Sequence, residues 1–142
     1  MMQAGKYYIG DLCYVMTDEE WDEFCSLTIK GNECLDGEFQ FADGRRFATY
    51  GTVYGDGEYR SNIRTKHSVD SGSIGCIRVE DIRDIRARSF YDIESLGAIV
   101  DFQTDFVTGG GRGTPDWEGI IQFGRVLIET NPSYEEEDYD YE

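Results

Sequence analysis

Three aspartates stand beside a glycine, or one residue removed from it, inside short runs of β-branched and aromatic residues. They are Asp11 in YIGDLCYV (8–15), Asp56 in TVYGDGEY (52–59) and Asp70 in SVDSGSIGCIRV (68–79). Carboxylates gathered at one rim of a sheet can ligate calcium or magnesium through oxygen. They can also divide into an acid and a base when their surroundings separate their pKa values. Asp11, Asp56 and Asp70 are therefore the candidate ligands for a divalent cation, the one cofactor considered. A structural reading competes: an Asp at a turn hydrogen-bonds nearby backbone amides, and its neighbouring Gly supplies positive φ. That reading needs no further assumption, and YGDGEY lacks the spaced ligands of a calcium loop.

Other chemistry is thinner. Cys13 and His67 (the only histidine) can be written as a nucleophile and its base. Nothing local orients them, and a strand cysteine is by default a small buried hydrophobe. Cys13, Cys25, Cys34 and Cys76 show no CxxC spacing, so a zinc site is not expected. Free thiols fit a reducing compartment, although a Cys13–Cys76 pair stays open if their strands are neighbours. The run Gly109-Gly-Gly-Arg-Gly113 offers backbone amides and Arg112 to an anion but has neither Walker nor Rossmann spacing. Arg45, Arg46, Arg83, Arg86 and Arg88 are interleaved with acids and read as a surface ion-pair mesh.

The net charge is −16 over 142 residues. Free nucleic acid and anionic membranes are then poor partners, because both demand lysine and arginine. A protein partner, particularly a basic one, fits better. Six carboxylates lie in the stretch 134–142 (Tyr134, Glu135, Glu136, Glu137, Asp138, Tyr139, Asp140, Tyr141, Glu142) after Asn131-Pro132. Such like-charge blocks repel themselves and stay unfolded, and tyrosines among acids could lie in a basic groove. Without the tail, the remainder still carries about −10. The domain organisation read from this is one β-rich domain, 1–130, and an acidic tail, 131–142. No apolar run approaches a membrane span, and residues 1–6 lack the apolar segment of a signal peptide. A cytoplasmic setting is expected.

The elements that must position these residues are mostly strands. Segments 6–10, 12–16, 38–42, 46–53, 58–60, 66–69, 73–79, 98–107, 119–123 and 125–129 read as strands separated by Gly- and Asp-rich turns. In this reading Asp70-Ser71-Gly72 closes a hairpin between 66–69 and 73–79, and Gly124 marks a bend. One helix is signalled clearly. Thr17 and Glu20 form a capping box, Met16 and Trp21 the flanking staple, and Trp21, Phe24, Cys25 and Thr28 share one face. Gly31-Asn32 is the expected stop. Residues 80–89 read as an irregular helix or a connection. The predicted fold is α+β, mostly β: an antiparallel rolled sheet or small barrel with one short N-terminal helix packed on it.

Taken in order, YYIGDLCYVM, Trp21, GRRFATYGTVYGDGEY, VDSGSIGCI and IIQFGRVLIET resemble a family of small uncharacterised proteins of bacteriophages, large DNA viruses of algae and some bacteria. The resemblance covers most of 6–130 and excludes the acidic tail. Ser61-Asn-Ile-Arg-Thr-Lys66 departs from it, where a Gly-containing turn is usual. It implies a viral or mobile-element setting and transfers no catalytic residues. The expectation is a non-enzymatic acidic protein that binds a host or viral protein. The alternatives are a metal-dependent hydrolase using the turn aspartates and a minor structural protein of a virus particle.

Overall fold

The computed structural model describes residues 1–84, 93–110 and 119–130. Ten of its strands form two five-stranded antiparallel sheets. The first runs in the order β4 (Gly37–Gln40), β5 (Arg46–Gly51), β8 (Ser73–Arg78), β1 (Gly5–Gly10), β9 (Ala98–Phe102). The second runs β10 (Thr108–Gly110), β11 (Ile120–Phe123), β12 (Val126–Glu129), β6 (Gly57–Ser61), β7 (Lys66–Val69). A two-residue hairpin, β2 (Ile29–Lys30) and β3 (Glu33–Cys34), follows the helix α1 (Asp18–Thr28). The fold is α+β and mostly β, as the sequence predicts. It is a sandwich and not a closed barrel, because the two sheets keep separate edges.

Strand alternation builds two cores, one on each face of the first sheet. Tyr7, Ile9, Ala48, Tyr50, Ile74, Cys76 and Val100 face the second sheet and meet Tyr59, Val69, Ile121, Phe123, Val126 and Ile128. Residues one position away, Tyr8, Phe47 and Ile77, point to the opposite face, where Leu12, Met16 and Phe24 cover them. Aromatic rings fill both layers: Tyr7 meets Phe106 edge-on at 5.0 Å, and Phe24 lies 5.2 Å from Phe47. A fully buried aromatic or aliphatic side chain contributes about 1.5–3 kcal/mol by leaving water.

The helix starts as predicted. The Glu20 N–H donates to Thr17 Oγ1 at 3.2 Å, and the Thr17 N–H donates to Glu20 Oε1 at 2.9 Å. Glu20 also pairs with Arg45, whose guanidinium lies over Phe41 at 4.7 Å and donates to the Asp81 carbonyl. The cap is thereby tied to the sheet. The helix ends at Thr28, earlier than Gly31-Asn32, because Ile29 already has extended φ and ψ and the Leu35 N–H donates to the Thr28 carbonyl. Gly31, at φ 63°, serves the β2–β3 turn instead.

Three further expectations change. Residues 12–16 are not a strand: Leu12–Tyr14 form a 3-10 turn capped by the Asp11 carboxylate, which accepts from the Cys13 N–H. Asp70-Ser71-Gly72 does not close a hairpin, since β7 pairs with β6 in one sheet and β8 with β1 and β5 in the other. It is a crossing between sheets. Residues 52–56 are a second crossing, from β5 to β6. The continuous strand expected over 98–107 stops at Phe102, and Phe106 instead bridges to Met2. Part of 80–89, with Arg86 and Arg88, lies outside the described residues. So do the glycine run beyond Gly110, with Arg112, and the whole tail from Tyr134 to Glu142. Among the described residues no helix is long and apolar enough to cross a membrane.

His67, fully buried on β7, joins the two sheets. Its Nδ1–H donates to the Ile9 carbonyl at 3.1 Å, leaving Nε2 to accept from the Thr65 hydroxyl at 2.7 Å. Burial lowers its pKa to about 4. The unfolded chain takes up this proton near pH 6.5, so the unfolded state binds more protons between those values. Stability therefore falls as pH drops from 6.5 towards 4, by about 3 kcal/mol from this residue. Urea titrations across that range should show a slope that His67→Gln reduces; an unchanged slope would contradict the assignment.

Candidate functional site

The three motif aspartates have separate fates. Asp11 is fully buried, and its carboxylate accepts four hydrogen bonds. Oδ1 receives the Cys13 N–H at 2.9 Å and the Ser71 hydroxyl at 2.8 Å, while Oδ2 receives the N–H groups of Asp70 at 2.7 Å and Ser71 at 2.6 Å. Asp70 is exposed and accepts the Tyr14 hydroxyl at 2.8 Å. Asp56 is exposed at the tip of its own turn. The turns themselves do meet: the Thr52 N–H donates to the Gly72 carbonyl at 3.0 Å, and a Cβ on Gly72 would lie 3.9 Å from the Gly55 Cα. Sheet topology thus gathers the motifs. Among the described residues, however, no three His, Cys, Asp or Glu side chains converge to hold a metal ion.

Cys13 and His67 do not form a reactive pair. Both ring nitrogens of His67 are engaged elsewhere. Burial, followed by the adjacent Asp11 carboxylate, pushes the Cys13 thiol well above its ordinary pKa, the reverse of nucleophile activation. All four cysteines are free: Cys76 is buried between the sheets, and Cys13 stands in the turn beside Asp11. The arginine mesh is present in part. Arg45 pairs with Glu20 and Asp43, and Arg46 pairs with Glu38.

A cleft beside the gathered turns is the feature that the sequence did not disclose. It has a volume of about 380 Å³, within the range of small-ligand sites. One wall is the edge of the apolar face of α1, with Trp21 and Phe24 stacked at 4.4 Å. The opposite wall is the two crossings, 52–55 and 71–73. This wall is braced from within: the Thr52 and Tyr59 hydroxyls both donate to the Gly55 carbonyl, at 2.6 and 2.8 Å. The β2–β3 hairpin and Asp36 close one side, where the Gly51 N–H donates to Asp36 Oδ1 at 3.0 Å.

Two properties distinguish this cleft. Ile29, Leu35, Val53 and Tyr54 all border it and are exposed, Tyr54 at 64%. They make up four of the seven large exposed hydrophobic side chains among the described residues. At the floor stands Thr49, 3% exposed, whose hydroxyl is the one buried side-chain polar atom among the described residues with no hydrogen-bond partner. Native proteins satisfy nearly all such groups, so an orphan calls for an explanation. Alternation along RFATYG places Thr49 on the α1 side with Phe47; a threonine at that inward position was the available signal. Among the described lining residues Asp36 is the sole carboxylate, and there is no Lys, Arg or His. The cleft suits an uncharged or cationic group with an apolar body, not an anion.

Compared with protein-family models, curated proteins and solved structures, the chain matches none.

Asp11→Ala strands three backbone amides and should lower unfolding stability by about 3–5 kcal/mol. The exposed Asp56→Ala should stay within about 0.5 kcal/mol; urea midpoints separate the two, and a mild Asp11 effect would refute the clamp. A thiol reagent should modify exposed Cys34 first and reach Cys76 only on unfolding, which peptide mass mapping reads directly.

Proposed function

We propose that this protein is a binding module that captures a basic segment of a protein partner over the cleft between α1 and the two sheet crossings. The observation that carries this reading is the cleft itself: exposed apolar side chains surround a recess whose described lining presents a carboxylate and no cation. A monomeric protein seldom groups exposed apolar residues without a use, and apolar anchors ringed by charge are how interfaces are built. The surroundings supply the charge. Helix α1 exposes Asp18, Glu19 and Asp22, and Glu33 and Asp56 are exposed on the flanking hairpin and turn.

The last described residue, Thr130, lies beside the cleft rim. Thr130 accepts the Val53 N–H at 3.3 Å on the rim of the cleft, and the six carboxylates of 134–142 follow within a dozen residues. A cationic partner steered by this field gains mainly in association rate. The resemblance to small phage and algal-virus proteins gives the reading a setting: a host or viral protein as partner, inside an infected cell.

The test uses two synthetic peptides with the same leucines and aromatics, one carrying lysine and arginine, the other aspartate and glutamate. Calorimetry should detect the basic peptide alone, with affinity falling steeply from 50 to 300 mM salt. Leu35→Asp and Tyr54→Asp should each weaken it about tenfold or more. Truncation after Thr130 should slow association more than it speeds dissociation. Equal affinity for the acidic peptide, or indifference to both rim substitutions, would overturn the reading.

A further inference from the structure

Resting on that reading, we infer that the cleft is a receptor for a single arginine side chain of the partner, with the Thr49 hydroxyl and the Asp36 carboxylate as its polar contacts and Trp21 and Tyr54 as its aromatic contacts. The orphaned Thr49 hydroxyl is the independent observation. A buried hydroxyl without a partner destabilises the free protein; because this oxygen is closed off from the surface, a ligand that hydrogen-bonds there must shift the side chains over it, and in doing so removes the penalty. The group that fits must bring donors, because the described lining offers Thr49, Ser71 and Ser73 hydroxyls and a carboxylate but no cationic side chain. Asp36 uses one oxygen for the Gly51 N–H, and its other oxygen takes no hydrogen bond from a described residue.

Arginine meets these demands better than lysine. Its guanidinium is planar, carries five N–H donors in a fixed fork, and stacks on aromatic faces. Trp21 and Tyr54 are aromatic residues lining the recess. A lysine ammonium is a compact, strongly hydrated charge that gains less from a half-apolar cleft. The stem of arginine is apolar and covers hydrophobic surface, which suits walls made by Phe24, Leu35 and Val53.

The deciding experiment uses the full chain and four peptides that share flanking lysines and differ at one central position: arginine, lysine, citrulline or leucine. Calorimetry should rank arginine at least tenfold above citrulline and leucine, with lysine between. Amide NMR shifts should centre on Trp21, Asp36 and Thr49. Thr49→Val should raise the melting temperature by a few degrees, since it removes an unsatisfied group, and yet weaken the arginine peptide about tenfold. Thr49→Ser, which keeps the hydroxyl, should retain binding. Opposite signs for stability and affinity are a signature that a merely structural threonine does not give. If all four peptides bind alike, or Thr49→Val leaves the arginine peptide unaffected, the arginine receptor is overturned while basic-partner binding stands. If none binds, both fall.

Discussion

Asp11 holds the two halves of this protein together where the chain would otherwise separate them. Its carboxylate sits at the end of β1, and the amides it grips belong to the turn that carries the chain from β7 into β8. A backbone leaving one sheet and entering another loses its ladder partners, and buried N–H groups without acceptors are costly. One ionised side chain satisfies three such groups and a hydroxyl, through the stronger class of hydrogen bond. The Tyr8 hydroxyl in turn donates to the Asp11 carbonyl, beneath the layer that covers this corner. Geometry at that point fixes how the second sheet is entered.

The remaining layers are consistent with this corner. The first sheet is covered on both faces, by the second sheet and by α1, so its central strand has apolar residues at consecutive positions. Polar ties reach across each layer at few places: His67 to the Ile9 carbonyl between the sheets, and Glu20 to Arg45 between the helix cap and the β4–β5 turn. Each is largely dry. Buried pairs of this kind fix register more dependably than they add net stability, and the apolar cores supply the bulk of the driving force.

The cleft is a by-product of the same constraint. Crossing turns stand up at one end of the first sheet, and α1 lies across only part of that face, so a recess remains between them. Closing it would have required a larger side chain at Thr49 or at the glycines of the turns. Instead the floor keeps a polar group in an unfavourable position and the rim keeps apolar groups in water. Local departures from good packing and satisfied hydrogen bonds are where a protein departs from stability for the sake of binding.

The sequence alone determined the local structure: the capping box at Thr17 and Glu20, the apolar face of α1, most strands, the acidic character and the mostly-β class. These depend on neighbours within a few residues, where side-chain period and turn chemistry act directly. It could not tell whether Asp70-Ser71-Gly72 reverses the chain within one sheet or carries it to another, because both need the same glycine and the same Asp. That choice rests on Asp11, some sixty residues away, closing over the turn. For the same reason the cleft was invisible: Trp21, Asp36, Thr49 and Tyr54 are ordinary singly, and only the tertiary structure sets them around one recess. Whether a buried hydroxyl finds a partner depends on which distant atoms surround it, and only long-range packing decides that.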